Sequence, residues 1–397
     1  MIKRINSGTP HYPSQPGHAR NAFGDSADID NIIRLHPEHP SASHETSPAE
    51  TPTFAIGLMG GGSWGAFSAG VLEEILGPIE KMGHIKIIAG TSAGAGNAAM
   101  AASGLNDGGS ALAKDRLRHF WNRVKTIGGY IGYPRGLDFM VPPSERWPNV
   151  PSQVINLMSA FKAANPFFST GATHMISNIA KSIVPNWRSV QRGDVKCVVN
   201  TVRQNLLTGE REHILLSGDD LTPQGLGASA ALKELGLHQI HDRHRLDDFK
   251  YAYLDGGYAQ NPPLEPLLAE KPSDIILIIL HDANQEPDPH EPAQNTRDKI
   301  YRDEIHTDVA TLSLADSNLT RIHTIEIEVA NGKINGWEMN DRSKLNASAE
   351  FIDALYKAGR EAGRKWLAEN ADQLGVESTY RPHKRVVQNL IAQGMYY

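Results

Sequence analysis

The chain has 397 residues, of which 40% are hydrophobic and 21% charged, and it carries a formal net charge of −6 without a long basic run. That balance belongs to an ordinary globular protein and gives nucleic acid no electrostatic footprint. A single cysteine, Cys197, excludes an intramolecular disulfide and a cysteine-built zinc site, and the length suits either two domains or one large α/β domain with tails.

Residues 1–50 are rich in Pro, Ser, His and acidic side chains and read as a disordered tail, because they lack the apolar periodicity needed to bury surface. The opening "MIKRINSGTPHYPSQPGHARN" has early cations but no apolar core, so no signal peptide is expected. "IILIIL", Ile275 to Leu280, is the longest strongly apolar run and is too short to cross a bilayer. The expected location is therefore the cytoplasm, with any membrane contact peripheral.

From Thr53 onward, short apolar runs of strand length appear: "TFAIGLM", "HIKIIAG", "VKCVVNTV", "EHILLS", "YAYLDGG", "DIILIIL" and "HTIEIEVA". Helical stretches lie between and after them: "AFSAGVLEEIL", "AGNAAMAAS", "SALAKDRLRHFWNRV", "TPQGLGASAALKEL" and "KLNASAEFIDALYKAGREAGRKWLAEN". The alternation predicts an α/β fold with a mostly parallel central sheet flanked by helices. Cys197, inside "VKCVVNTV", reads as a small core residue. Residues 127–170 break the pattern with prolines and aromatics, among them Tyr130, Tyr133, Phe139, Met140, Trp147, Phe161, Phe167 and Phe168. That composition suits either an inserted cap over a site or a packed surface excursion. "RPHKRVVQNLIAQGMYY" at the end has the pattern of a short amphipathic helix.

Three motifs carry chemistry. "GLMGGGSWGAF", Gly57 to Phe67, places five glycines in eleven residues directly behind a strand. Such a loop serves as a phosphate cradle, an oxyanion hole or a tight turn. Gly60, Gly62 and Gly65 match a dinucleotide fingerprint, but the acidic residue at the right offset, Glu80, precedes the second strand instead of closing it.

"GTSAG", Gly90 to Gly94, is a G-x-S-x-G at a strand-to-helix junction. Small residues around Ser92 permit the sharp turn that presents its hydroxyl at a helix N-terminus, where the dipole favours developing negative charge. Ser92 is thus the candidate nucleophile, with a helix-capping serine as the alternative. "YLDGGYAQNPPL" ends a strand at Asp255, followed by Gly256 and Gly257, and supplies either a base or an ordinary turn.

In this joint order the glycine loop, G-x-S-x-G and D-G-G resemble the patatin-like phospholipase family, over roughly Thr53 to Leu367. The resemblance implies a three-layer patatin-like domain at 53–371, a C-terminal extension at 372–397, and a serine acyl hydrolase acting on lipid or phospholipid esters. It implies a Ser92–Asp255 dyad, an oxyanion hole formed by Gly60, Gly61, Gly62 and Ser63, elbow glycines Gly90 and Gly94, and a D-G-G motif with Gly256 and Gly257. It implies neither cofactor nor metal. The family commonly has Arg or Lys where this chain has Trp64, and Pro where it has Lys233.

Two other readings stay open. The order Ser92, Asp255, His281 permits an α/β-hydrolase triad, and a non-catalytic lipid-binding module would keep the same pocket. The histidine-rich "HQIHDRH" and the acidic "HDANQEPDPHEP" lack the spacing of a metal site.

Overall fold

The computed structural model describes residues 51–131, 172–231, 251–282, 320–330, 332–339 and 341–382, together with Ile305 and residues 308–310. The expected tail at 1–50, most of the cap segment, Lys233, "HQIHDRH" and the terminal amphipathic stretch lie outside these residues.

Strands β1 (Thr53–Leu58), β2 (His84–Gly90), β3 (Lys196–Asn205), β4 (Arg211–Leu216), β5 (Tyr251–Asp255), β6 (Asp274–Ile279) and β7 (Arg321–Glu326) form one sheet in the order β4-β3-β2-β1-β6-β7, with β5 also paired to β3. The pairs among β3, β2, β1, β6 and β7 are parallel, while β4 and β5 run antiparallel to β3. The expected mostly parallel sheet is therefore present, with antiparallel strands at one side. All six residues of β6, DIILII, are buried, as a central strand covered on both faces requires.

Helices α1 (Gly65–Met82), α2 (Ala93–Ile131), α3 (Ala172–Ile183), α4 (Arg188–Arg192), α5 (Pro223–Ser229), α6 (Glu265–Ala269) and α7 (Ala349–Asn370) connect and cover the strands. The backbone leaves helical geometry inside α2 at Gly108 and Gly109, so the two predicted helical stretches meet at a kink. The start of the expected cap, residues 127–131, instead continues α2.

Two boundaries differ from the sequence reading. Helix α7 begins at Ala349, with Ser348 as N-cap, and Asp341–Leu345 forms a short 3-10 turn before it. Residues beyond 371 also pack on the domain: Tyr380 N–H donates to Ile322 O at 3.0 Å, and Ser378 Oγ accepts the Ile322 amide at 3.0 Å. A small hairpin of β8 (Lys333–Ile334) and β9 (Trp337–Glu338) precedes the 3-10 turn.

Candidate active site

Ser92 sits between β2 and α2 with φ 54°, in the left-handed region that a side chain adopts only when its surroundings impose it. The two elbow glycines explain how. A Cβ on Gly90 would collide with the Gly94 carbonyl, and a Cβ on Gly94 with the carbonyl of Leu58 at the end of β1. The chain thus crosses itself where backbone alone fits. The Ser92 amide donates to Ser229 Oγ at 2.8 Å, so α5 steadies Ser92 from the side.

The glycine loop leaves β1 and presses onto this elbow. A Cβ on Gly60 would lie 2.7 Å from Thr91 O and 2.9 Å from Ser92 Cβ. Asn261, in the D-G-G segment, grips Gly60 through both backbone groups: its Oδ1 accepts the Gly60 amide at 2.6 Å and its Nδ2 donates to Gly60 O at 3.2 Å. The Trp64 amide is also occupied, donating to Gly61 O at 3.1 Å. Gly61 packs on Leu280, and Gly62, at φ 57°, meets the Lys344 carbonyl where a Cβ would be. Trp64 and Ser63 are buried.

Asp255 closes β5 and is 4% exposed. Its position follows from register. Strand β3 pairs with β2 at Lys196–Val199 and with β5 at Thr201–Asn205, while β4 occupies the opposite edge from Val199 to Gln204. Strands β2 and β5 therefore lie along the same edge of β3, and their C-terminal ends meet there: Gly90 opposes Val199, and Asp255 opposes Thr201.

Asn200, between those two positions, joins the ends. Its Oδ1 accepts Thr91 Oγ1 at 2.7 Å, and its Nδ2 donates to Gly256 O at 3.1 Å and Gln260 O at 2.7 Å. A Cβ on Gly256 would strike Asn200, and one on Gly257 would lie 3.9 Å from the Thr91 methyl. Asp255 Oδ1 accepts the Gly257 amide at 2.8 Å, which orients the carboxylate, and the Asp255 amide donates to Ala231 O at 2.9 Å.

The structure thus brings Gly60, Gly90, Ser92, Gly94, Asp255, Gly256 and Gly257 to one end of the sheet. Gly61, Gly62 and Ser63 follow Gly60 in the adjoining loop. His281 is at the end of β6, as its position in the sequence implied, but β1 and its loop stand between β6 and β2. Glu80 accepts the Ser110 amide at 3.0 Å, a structural contact. Burial pushes the Cys197 thiol up to about 12, which suits its place in the core. Among the described residues there is no group of three or more His, Cys, Asp or Glu that could hold a metal.

Asn200, Ser229, Asn261 and Ser343 carry no motif signal, although Asn261 lies within the quoted D-G-G stretch. Ser343 Oγ accepts the Trp64 indole N–H at 2.9 Å.

The family description "Patatin-like phospholipase" matches residues 58–268, more than half of the chain. No curated protein gives a significant match. Among solved structures, VipD from Legionella pneumophila is similar at 14% identity, over 86% of this chain and 76% of that one, with TM-score 0.34. Human GIVD cytosolic phospholipase A2 is 10% identical over 88% of this chain and 62% of its own, with TM-score 0.43; the chain thus spans about three fifths of that enzyme. The heterodimeric ExoU–SpcU complex of the Pseudomonas aeruginosa type III secretion system gives 14% identity, 86% and 59% coverage, and TM-score 0.27. The family match spans the glycine loop, Ser92 and Asp255. The chain belongs to the patatin-like phospholipase family, a family of lipid acyl hydrolases.

Proposed function

We propose that the protein cleaves fatty acyl esters of lipids through a Ser92–Asp255 dyad and an acyl-enzyme intermediate. The observation that carries this reading is the convergence of β2 and β5 on one edge of β3, which aligns the Ser92 elbow with Asp255 across Asn200. In the first half-reaction Ser92 Oγ attacks the ester carbonyl while its proton passes to the Asp255 carboxylate. The oxyanion is held by amides of Gly61, Gly62 and Ser63. Gly60 is left out of this set, because Asn261 already takes its amide. Collapse of the tetrahedral intermediate breaks the ester C–O bond, and the leaving alkoxide takes the proton from Asp255. Water then attacks the acyl-enzyme, giving its proton to Asp255, and the fatty acid departs as Ser92 Oγ is reprotonated.

The sheet order argues against a Ser-Asp-His triad. Asp255 lies in line with β2 and His281 follows β6, which puts two strand spacings, about 10 Å, between their columns. The N-terminus of α2 adds a favourable partial charge beneath the nucleophile.

A fluorophosphonate probe tests the reading directly. Labelling of the full chain at Ser92, lost in Ser92→Ala together with hydrolysis of p-nitrophenyl butyrate and phospholipid, supports it. Unlabelled protein with no esterase activity leaves the binding-module alternative.

A further inference from the structure

The β3–β4 hairpin reaches past the parallel part of the sheet. Strand β3 pairs with β2 only as far as Val199 and runs on to Asn205, six residues further, which is about 20 Å at the rise of a strand. Because β2 and β3 are parallel, this extension leaves the sheet at the end where Ser92 follows β2. Strand β5 runs back along it, with Tyr251 opposite Asn205 and Asp255 opposite Thr201, so the tip stands about 13 Å beyond Asp255 along the strand.

The turn at the tip, "NLLTGE", is closed by its polar residues and its glycine. The Asn205 amide donates to Glu210 O at 2.8 Å, and Asn205 Oδ1 accepts the amides of Leu207 at 2.9 Å and Thr208 at 3.2 Å. Gly209, at φ 76°, donates to Asn205 O at 2.8 Å. The side chains of Leu206 and Leu207 have no part in this closure. Among the described residues Leu207 is the most exposed large apolar side chain, at 80%, and Leu206 is 43% exposed. A Cβ on Gly209 would meet no described residue within 4 Å, so the turn stands clear of the domain. Two adjacent leucines held in water by a well-bonded turn gain free energy only when an apolar phase covers them.

The charges around the tip balance. Arg203 pairs with Glu212 at 2.6 Å, and Glu210 and Arg211 follow one another in the chain. The Arg203 guanidinium lies 4.7 Å from the centroid of the Tyr251 ring, which places an aromatic and a cation one step behind the leucines. That order, apolar outermost and then tyrosine with arginine, matches the layering of a bilayer surface, where aromatic rings sit at headgroup level. We propose that the hairpin tip is a membrane anchor, in which Leu206 and Leu207 enter the lipid surface and hold the catalytic end of the sheet against it. This rests on the acyl hydrolase reading above, which supplies a lipid surface as the place where substrate is met. The tip has no net charge, so the contact is apolar and needs no anionic lipid.

The test measures partition of the full chain onto vesicles of dialkyl-ether phosphatidylcholine, which has no ester to cleave. Leu206→Ser combined with Leu207→Ser should lower the partition coefficient about tenfold, while hydrolysis of dissolved p-nitrophenyl butyrate changes less than about twofold. Leu207→Phe should retain binding. Replacing part of the lipid with ether phosphatidylglycerol, or raising the salt, should change partition less than about twofold. Cys197 is buried and is the single cysteine of the chain, so Leu207→Cys takes a polarity-sensitive fluorophore at the tip. Its emission should rise and shift to the blue on the vesicles. Unchanged partition in the double serine variant, or unchanged emission at position 207, overturns the anchor. Binding that requires the anionic lipid and is lost in salt overturns it in favour of an electrostatic surface elsewhere. Self-association without vesicles that the serine variant abolishes would assign the leucines to a contact between copies, and loss of butyrate hydrolysis in that variant would make the hairpin structural. Partition onto the ether lipid is read whether or not Ser92 is labelled, so failure of the anchor and failure of the acyl-enzyme reading are separate results.

Discussion

Asn261 holds Gly60 by both of its backbone groups, accepting from the amide at 2.6 Å and donating to the carbonyl at 3.2 Å. Gly60 is thereby fixed against Thr91 and Ser92, with its amide already taken. Asn261→Ala leaves both groups without their partner, and a part-buried unsatisfied group costs about 1–3 kcal/mol. We expect kcat to fall about tenfold or more with KM little changed, since a loosened oxyanion loop weakens transition-state contacts more than ground-state ones. Steady-state kinetics on a soluble ester, beside a urea melt, measures both effects. Unchanged kcat in the folded variant would remove the clamp from catalysis.

The left-handed backbone at Ser92 sets up a comparison of two inactive variants. A side chain at φ 54° carries strain of about 1–2 kcal/mol that glycine does not. Ser92→Gly should therefore be more stable than Ser92→Ala by about 1 kcal/mol in denaturant unfolding, after allowance for the greater flexibility of glycine in the unfolded chain. Both should lack ester hydrolysis. Retained turnover in Ser92→Ala would end the nucleophile assignment.

Asp255→Asn keeps an oxygen able to accept from the Gly257 amide, so the turn survives while the proposed base is lost. Turnover should fall by at least about 100-fold, the lower scale for loss of a general base. His281→Ala should change kcat/KM less than about threefold, given how far its strand column stands from Asp255. A collapse in the histidine variant, with its fold intact, would reinstate the triad.

At the opposite end of the sheet, Asp274 and His323 are both fully buried and bonded at 2.9 Å. Burial by itself pushes the Asp274 carboxyl up. The hydrogen bonds from His323, Ser273 and the Gly375 amide, with the His323 charge, outweigh it and hold the carboxyl below the usual carboxylate range. A depressed folded value means that this stabilisation is complete above the unfolded value, about 3.9, and is lost as pH falls through the folded one. Wild-type stability should decline below about pH 4. Asp274→Asn should flatten that acid limb and lower stability near neutrality by about 2 kcal/mol, the scale of hydrogen bonds to a charged group. Urea unfolding from pH 2 to 7 tests this; an unchanged acid limb in the variant would assign acid sensitivity to other groups.

Much of the scaffold was legible because it depends on near neighbours. Strand period marked β1, β2 and β6, and glycine at Gly90 and Gly94 announced a turn too tight for side chains around Ser92. The position of Asp255 at a strand end followed from "YAYLD" and the glycines behind it. Resemblance to a family joined the motifs, and the mostly parallel sheet followed from strands alternating with helices. Helix α7 starts later than the helical composition of "KLNAS" predicts, because Lys344 and Leu345 belong to the 3-10 turn that meets the glycine loop at Gly62.

What tertiary structure alone decided is which distant side chains complete the site. Thr91 meets Asn200 across 109 residues, Ser92 meets Ser229 across 137, Gly60 meets Asn261 across 201, and Trp64 meets Ser343 across 279. None of these pairs is implied by periodicity or by spacing within a motif. They arise because β3 carries β2 and β5 end to end along one edge and because β1 lies between β2 and β6. Strand order of this kind is chosen by burial of the whole sheet between its helices, a sum over the chain that no single segment encodes.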